Sequence, residues 1–228
     1  MARGDSPPFA RGETYANGNA YILDANNPLN ASGFGGINIQ GKEFVFEPNS
    51  ADAETGYPLG VNDPAGRPIR VKVVRNTSGI NLLPGRLVHY STSDPNGYEV
   101  SVDGYCFEAS DRPAGIVDEF LPPAGVVPND LFYIVTEGPT LVTQPATPIT
   151  TVVESRLVPA ATGTTYPVTG GPATGRVDPA AGRVALQDTT QTGAALFAQI
   201  QNQVGFAAAA NSTANAQFGA VIRMGGVA

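Results

Sequence analysis

Residues 70–142 decide the fold, and they read RVKVVRNTSGINLLPGRLVHYSTSDPNGYEVSVDGYCFEASDRPAGIVDEFLPPAGVVPNDLFYIVTEGPTLV. Short runs of β-branched and aromatic residues alternate here with Gly, Pro, Asn and Asp, a pattern typical of antiparallel strands joined by turns. Alternate side chains of a strand fall on opposite faces, so each run can bury one face. The strand candidates are Val71–Val74, Leu87–Tyr90, Tyr98–Val102, Ala114–Val117 and, strongest of all, Leu131–Val135.

The composition of the whole chain agrees with a loop-rich β protein. Its 228 residues include 27 Gly and 20 Pro, which interrupt long helices and strands. Yet 42% of the residues are hydrophobic, too many for a disordered chain. We therefore predict a mainly β fold, a small antiparallel β-barrel or sandwich with long loops.

Charge and hydropathy limit the classes of partner. The net charge is −7, and the chain has only two lysines, so a nucleic-acid partner is not expected. No apolar run approaches the length needed to cross a bilayer, and we expect no membrane partner. A weakly charged surface suits extensive contacts with other proteins.

Residues 1–65 are predicted to form an extended N-terminal arm. Their apolar groups are brief and far apart, so they can bury little surface against one another. A mobile leader is the alternative, but such leaders are usually poor in aromatic residues. We take the aromatic residues of the arm as candidate contacts with a partner: Tyr15, Tyr21, Phe34, Phe44 and Phe46.

Residues 66–145 form the predicted β core, and one of its loops is a second candidate contact. The loop spans Leu121–Asp130, where prolines restrict the backbone and hold a protruding shape. Its candidate contact residues are Leu121, Pro122, Pro123, Val126 and Val127.

Residues 146–228 are predicted to be a C-terminal β extension that completes the same body. One short helix is expected at about 192–204, because Leu196, Ile200 and Val204 form an apolar stripe at helical spacing. Thr192 is a plausible N-cap. A closing strand is expected at Phe218–Met224.

The search for catalytic chemistry finds no convincing site. The single Cys106 and the single His89 are better explained as packed residues than as a thiol dyad. Asp118 and Glu119 are adjacent, and adjacent residues on a strand face opposite sides, which disfavours a carboxylate pair for hydrolysis. Acidic turn residues such as Asp103 lack the spacing of a calcium loop. We expect no enzymatic activity, no cofactor and no metal.

Several phrases of the chain resemble tailed-bacteriophage capsid decoration (cement) proteins. They are VVRNTSGINLLPGRLV (73–88), VDEFLPPAGVVPNDLFYIVTEGP (117–139), GRVALQD (182–188) and QIQNQVG (199–205). The resemblance covers roughly residues 66–228. It implies a virion protein on the outer capsid surface, often a homotrimer, that binds the major capsid protein and stabilises the shell without catalysis.

Other functions remain open from the sequence. A head fibre, a tail component or a baseplate component would share the same loop-rich β composition. A carbohydrate-binding β module would use exposed aromatic residues, and the eight Tyr residues allow this although Trp is absent. A hydrolase with an unrecognised site is the remaining class.

Overall fold

The computed structural model describes residues 7, 9–15, 40–46, 68–91, 101–103, 113–143, 153–154, 156–159, 184–186, 203–208, 210, 212–213 and 216–224. These residues contain strands, turns and irregular segments, and no helix. The strands are β1 (Glu43–Phe46), β2 (Ile69–Asn76), β3 (Leu87–Tyr90), β4 (Ser101–Asp103), β5 (Pro113–Val117), β6 (Leu131–Thr143), β7 (Arg156–Pro159), β8 (Val184–Leu186), β9 (Gly205–Ala207) and β10 (Gln217–Arg223).

The strands form one mixed but mainly antiparallel sheet. Its order is β1-β2-β4-β3-β5-β6-β10-β9-β7-β8, and only the β2–β4 pair is parallel. β2 also pairs with β6, so the part of the sheet from β2 to β6 curls back on itself. β1 and β8 remain at the two ends of the order, and the sheet is not closed into a barrel. The prediction of a mainly β fold is confirmed.

β6 is the central strand, and both of its faces are buried. Leu131, Tyr133 and Val135 point into one apolar cluster, whereas Phe132 and Ile134 point into another. This is the strict alternation expected of a pleated strand. Because both faces are covered, the run reads as continuously apolar in the sequence.

β6 changes partners halfway along its length. Its first half pairs with β2 up to Glu137, and its second half pairs with β10 from Glu137 to Thr143. Gly138 lies at the exchange with a φ of 105°, and a β-carbon there would lie 2.7 Å from the carbonyl oxygen of Pro68. Glycine permits both the backbone angle and the close approach.

The predicted helix cannot be checked over most of its length, because residues 192–202 lie outside the described residues. Its last two residues, Gln203 and Val204, are not helical, and Val204 packs in the larger core cluster. The predicted closing strand is confirmed as β10, which pairs with both β6 and β9. The division into arm, core and extension stays a prediction.

Candidate interaction surfaces

Two of the predicted contact residues of the arm belong to the protein's own core. Phe44 and Phe46 alternate inward on β1 and are 6% and 7% exposed. Both rings meet Tyr133 edge-on, at centroid distances of 6.4 and 5.7 Å. Their apolar surface is therefore used within the chain. Tyr21 and Phe34 lie outside the described residues.

A second piece of the arm, residues 9–15, lies across the β core, and we call it the strap. Phe9 stacks on Tyr133 with ring centroids 4.3 Å apart, and the Tyr133 hydroxyl donates to the Phe9 carbonyl at 3.0 Å. Tyr15, a predicted contact residue, is partly buried and exchanges two backbone hydrogen bonds with Leu131. Both described pieces of the predicted arm thus pack on their own chain.

The strap is fixed by a buried charge cluster. The guanidinium of Arg11 donates from Nη2 and Nε to Asp118 Oδ1, at 2.7 and 3.1 Å, and lies 3.6 Å from a carboxylate oxygen of Glu119. The three side chains are 0%, 1% and 2% exposed. The Gly12 amide donates to the other oxygen of Asp118 at 2.7 Å. The Arg11 guanidinium also lies 4.5 Å above the ring of Phe120, in cation–π geometry.

Glu119 is held from the opposite side by β6. Its Oε2 accepts from the Thr140 hydroxyl at 2.7 Å and from the Leu141 amide. Burial raises the pKa of Glu119, and the neighbouring Arg11 and the two hydrogen bonds only partly oppose this. The cluster therefore joins three separate segments, the strap, the turn after β5 and the second half of β6.

The sequence did not indicate this cluster. Asp118 and Glu119 were expected on opposite faces of a strand, but β5 ends at Val117 and the turn brings both carboxylates to Arg11. Arg11 lies 107 positions from Asp118, and no local spacing relates them. In this arrangement the two buried carboxylates and the arginine between them form a structural ion-pair cluster.

The exposed candidate surface is built from two loops, residues 77–85 and 121–130, which we call the double loop. Leu82 and Val126 exchange two backbone hydrogen bonds and are buried, as is Leu121. The other predicted contact residues of this loop, Pro122, Pro123 and Val127, are exposed. Val127 is 46% and Leu83 39% exposed, and both side chains are apolar.

The double loop is held in one shape by hydrogen bonds from two asparagine side chains to backbone carbonyls. The side-chain amide of Asn76 donates to the carbonyls of Ile80 and Val126, at 2.7 and 2.9 Å. Asn81 similarly donates to Ala124 at 3.0 Å. Gly125, with a φ of 75°, packs directly against the Leu82 carbonyl. The exposed apolar side chains are therefore presented on a preorganised backbone.

The exposed residues of the double loop include no charged side chain. Residues 77–85 and 121–129 contain no Asp, Glu, Lys or Arg, and Asp130 at the end of the second loop is buried. A partner can cover such a surface without desolvating a charge, which lowers the cost of association.

Two further residues that the sequence singled out for their chemistry are His89 and Cys106. His89 is buried in β3, as expected, whereas Cys106 lies outside the described residues. Within the described ranges, no group of three or more His, Cys, Asp or Glu residues is arranged to hold a metal ion. Among those same residues, no helix is long and apolar enough to span a bilayer.

Comparisons with known proteins find distant likenesses among solved structures. A chain from the head fibre gp8.5 N base of bacteriophage phi29 aligns with a TM-score of 0.36 and 14% identity, over 69% of this chain and 97% of that one. A chain from the capsid of Myoviridae phage XM1 aligns with a TM-score of 0.39 and 15% identity, over 78% of this chain and 97% of that one. No family model and no curated protein matches. Both structures are parts of phage heads.

Proposed function

We propose that the chain is a structural protein of a phage virion that decorates the outer surface of the capsid and stabilises it by bridging major capsid subunits. The observation that carries this proposal is the double loop. It presents exposed apolar side chains on a backbone that hydrogen bonds hold in place, and none of its exposed side chains is charged. Rigid apolar contacts repeated over a symmetric lattice add up by avidity, so each one can be weak. The proposal includes no catalytic step.

The proposal narrows the set of contact residues that the sequence suggested. Pro122, Pro123 and Val127 are exposed and available to a capsid subunit, and Leu83 joins them from the neighbouring loop. The buried members of the set, such as Val126, act indirectly by holding the double loop in shape.

A matched set of charge substitutions tests the double loop. We expect Val127→Asp and Leu83→Asp to weaken binding to purified shells at least about tenfold, because a carboxylate would be buried unpaired at the contact. Val153→Asp is the control, since Val153 is 58% exposed in a turn that bonds to β9 and lies outside the double loop. Binding is measured by co-sedimentation of each purified, folded variant with shells that lack the protein. Equal binding of all three variants and the wild type would refute the proposal.

Copy number separates capsid decoration from the other virion functions. A protein that covers the lattice is present at a simple ratio to the major capsid protein, whereas head fibres, tail components and baseplate components are fewer. Quantitative mass spectrometry of purified particles gives this ratio. The predicted homotrimer is tested separately, by sedimentation equilibrium of the free protein.

A further inference from the structure

We infer that the groove that holds the strap on its own chain also accepts the strap of a second copy, so that neighbouring copies exchange residues 9–15. The groove is formed by the turn 118–120 and by the first residues of β6. Its occupant in either case is the same Arg11-Gly12 segment. The inference depends on the proposed function only in requiring copies to lie side by side.

The contacts of the strap do not require that it belong to the same chain. Arg11 bonds to a residue 107 positions away, Gly12 to one 106 positions away, and Phe9 to one 124 positions away. Every one of these contacts can be made identically by a strap from another copy. Exchange of the strap between two copies therefore costs little free energy beyond that of bringing the copies together.

The strap also carries its own local shape. The Ala10 amide donates to Glu13 Oε2 at 3.0 Å, and the Glu13 amide donates back to the Ala10 carbonyl at 3.4 Å. A segment with an internal turn loses less conformational entropy when it docks. It can therefore move between grooves as a unit.

The groove is selective for this segment. Asp118 receives two bonds from the Arg11 guanidinium and one from the Gly12 amide. Gly12 has a φ of 82°, and a β-carbon there would lie 2.9 Å from Phe120. Only glycine fits both conditions. The groove thus recognises an Arg-Gly segment that approaches closely, and a second copy of this chain supplies one.

The chain length between strap and β1 allows the exchange. Residues 16–39 connect Tyr15 to Gln40, and 24 residues can span at most about 80 Å. A segment tethered to its own groove competes at an effective concentration on the order of millimolar. Copies packed on a lattice present their grooves to one another at a comparable local concentration, so the two arrangements are close in free energy.

Two complementary full-length variants test the exchange in purified protein. Asp118→Asn keeps Arg11 in the strap but weakens the groove that binds it. Because the strap then leaves the groove more often, we expect trypsin to cut after Arg11 at least about tenfold faster than in the wild type. Arg11→Ala keeps the groove intact but lacks the arginine. A tenfold excess of Arg11→Ala should slow cleavage of the Asp118→Asn chain toward the wild-type rate, because the intact strap seats in the intact groove. The double variant Arg11→Ala/Asp118→Asn, added in the same excess, should not change the cleavage rate of the Asp118→Asn chain. The mixing is done with the intact groove at about millimolar concentration, the level set by the tether, and unchanged cleavage there would overturn the inference.

A disulfide gives a second readout that does not depend on the ion pair. Tyr15 and Leu131 form a hydrogen-bonded antiparallel pair, for which the Cα separation is about 5.5 Å and suits a disulfide. Tyr15→Cys and Leu131→Cys are combined with Cys106→Ser, and the concentrated protein is oxidised with diamide. Exchange predicts covalent dimers and higher species on a non-reducing gel. Only internally linked monomers, both free and on shells, would show that the strap stays on its own chain.

Discussion

Arg11→Ala is the substitution that most directly tests the packing of the strap. Arg11 is the only cation within 4 Å of Asp118 and Glu119 among the ion pairs of the described residues. The substitution leaves two carboxylates, 1% and 2% exposed, without their guanidinium. It also removes the cation from the face of Phe120. Asp118 then retains only the Gly12 amide from the strap.

The expected magnitude follows from the burial of the cluster. Removing one partner of a buried ion pair costs about 3–5 kcal/mol, most of which is the desolvation of the charge left behind. The strap can leave its groove and admit water, which sets an upper limit at the free energy of strap docking. We expect a loss of about 3 kcal/mol in the free energy of unfolding. In a protein of this size, this lowers the Tm by roughly 6–12 °C.

The control is an ion pair of the same types at the surface. Arg70 pairs with Glu137 at 3.2 Å, but both side chains are 52% exposed. Arg70→Ala should cost no more than about 1 kcal/mol, because water screens the pair. Both variants are compared with the wild type by urea unfolding at pH 7, followed by circular dichroism. If Arg11→Ala costs no more than Arg70→Ala, the reasoning from burial is wrong.

Two further predictions concern Glu119 and the double loop. The raised pKa of Glu119 means that the folded state favours the protonated form of this side chain. The free energy of unfolding of the wild type should therefore fall relative to that of Glu119→Gln as the pH rises through that pKa. Urea unfolding of both proteins from pH 4 to 8 measures the difference, and a difference that stays constant with pH would contradict the prediction. Gly125→Ala should cost about 1–3 kcal/mol more than Gly79→Ala. Both glycines have a φ of 75°, but only at Gly125 would the new β-carbon overlap the Leu82 carbonyl. Thermal unfolding compares the two variants, and equal Tm values would contradict the clash.

The sequence predicted the strands well where turn residues separate them. Its strongest candidate, Leu131–Val135, is the start of β6, and the closing strand is β10. It missed the second half of β6, because Gly138 and Pro139 resemble a strand end. In the structure they mark an exchange of partners from β2 to β10 within one strand. Turn-forming residues within a segment cannot reveal which distant strand pairs with the residues that follow them.

The candidate surfaces were predicted only in part, because local sequence does not show which distant residues pack on a side chain. The rigid loop after β5 was recognised from its prolines, which act locally on the backbone. The side chains that would be buried within it were not distinguishable, because Leu121 and Val126 are covered by residues some 40 positions earlier. The aromatic residues of β1 appeared available to a partner since their own partner, Tyr133, is far along the chain.

The position of β10 has a consequence for synthesis of the protein. β10 covers one edge of β6 from Glu137 to Thr143, yet it begins at Gln217, 74 positions after β6 ends at Thr143. The ribosome makes β6 before β10, so that edge of β6 stays unpaired while the residues between the two strands are synthesised. An open apolar edge is a template for pairing with another chain. Nascent copies on one messenger are therefore at risk of strand pairing with one another until β10 docks on β6.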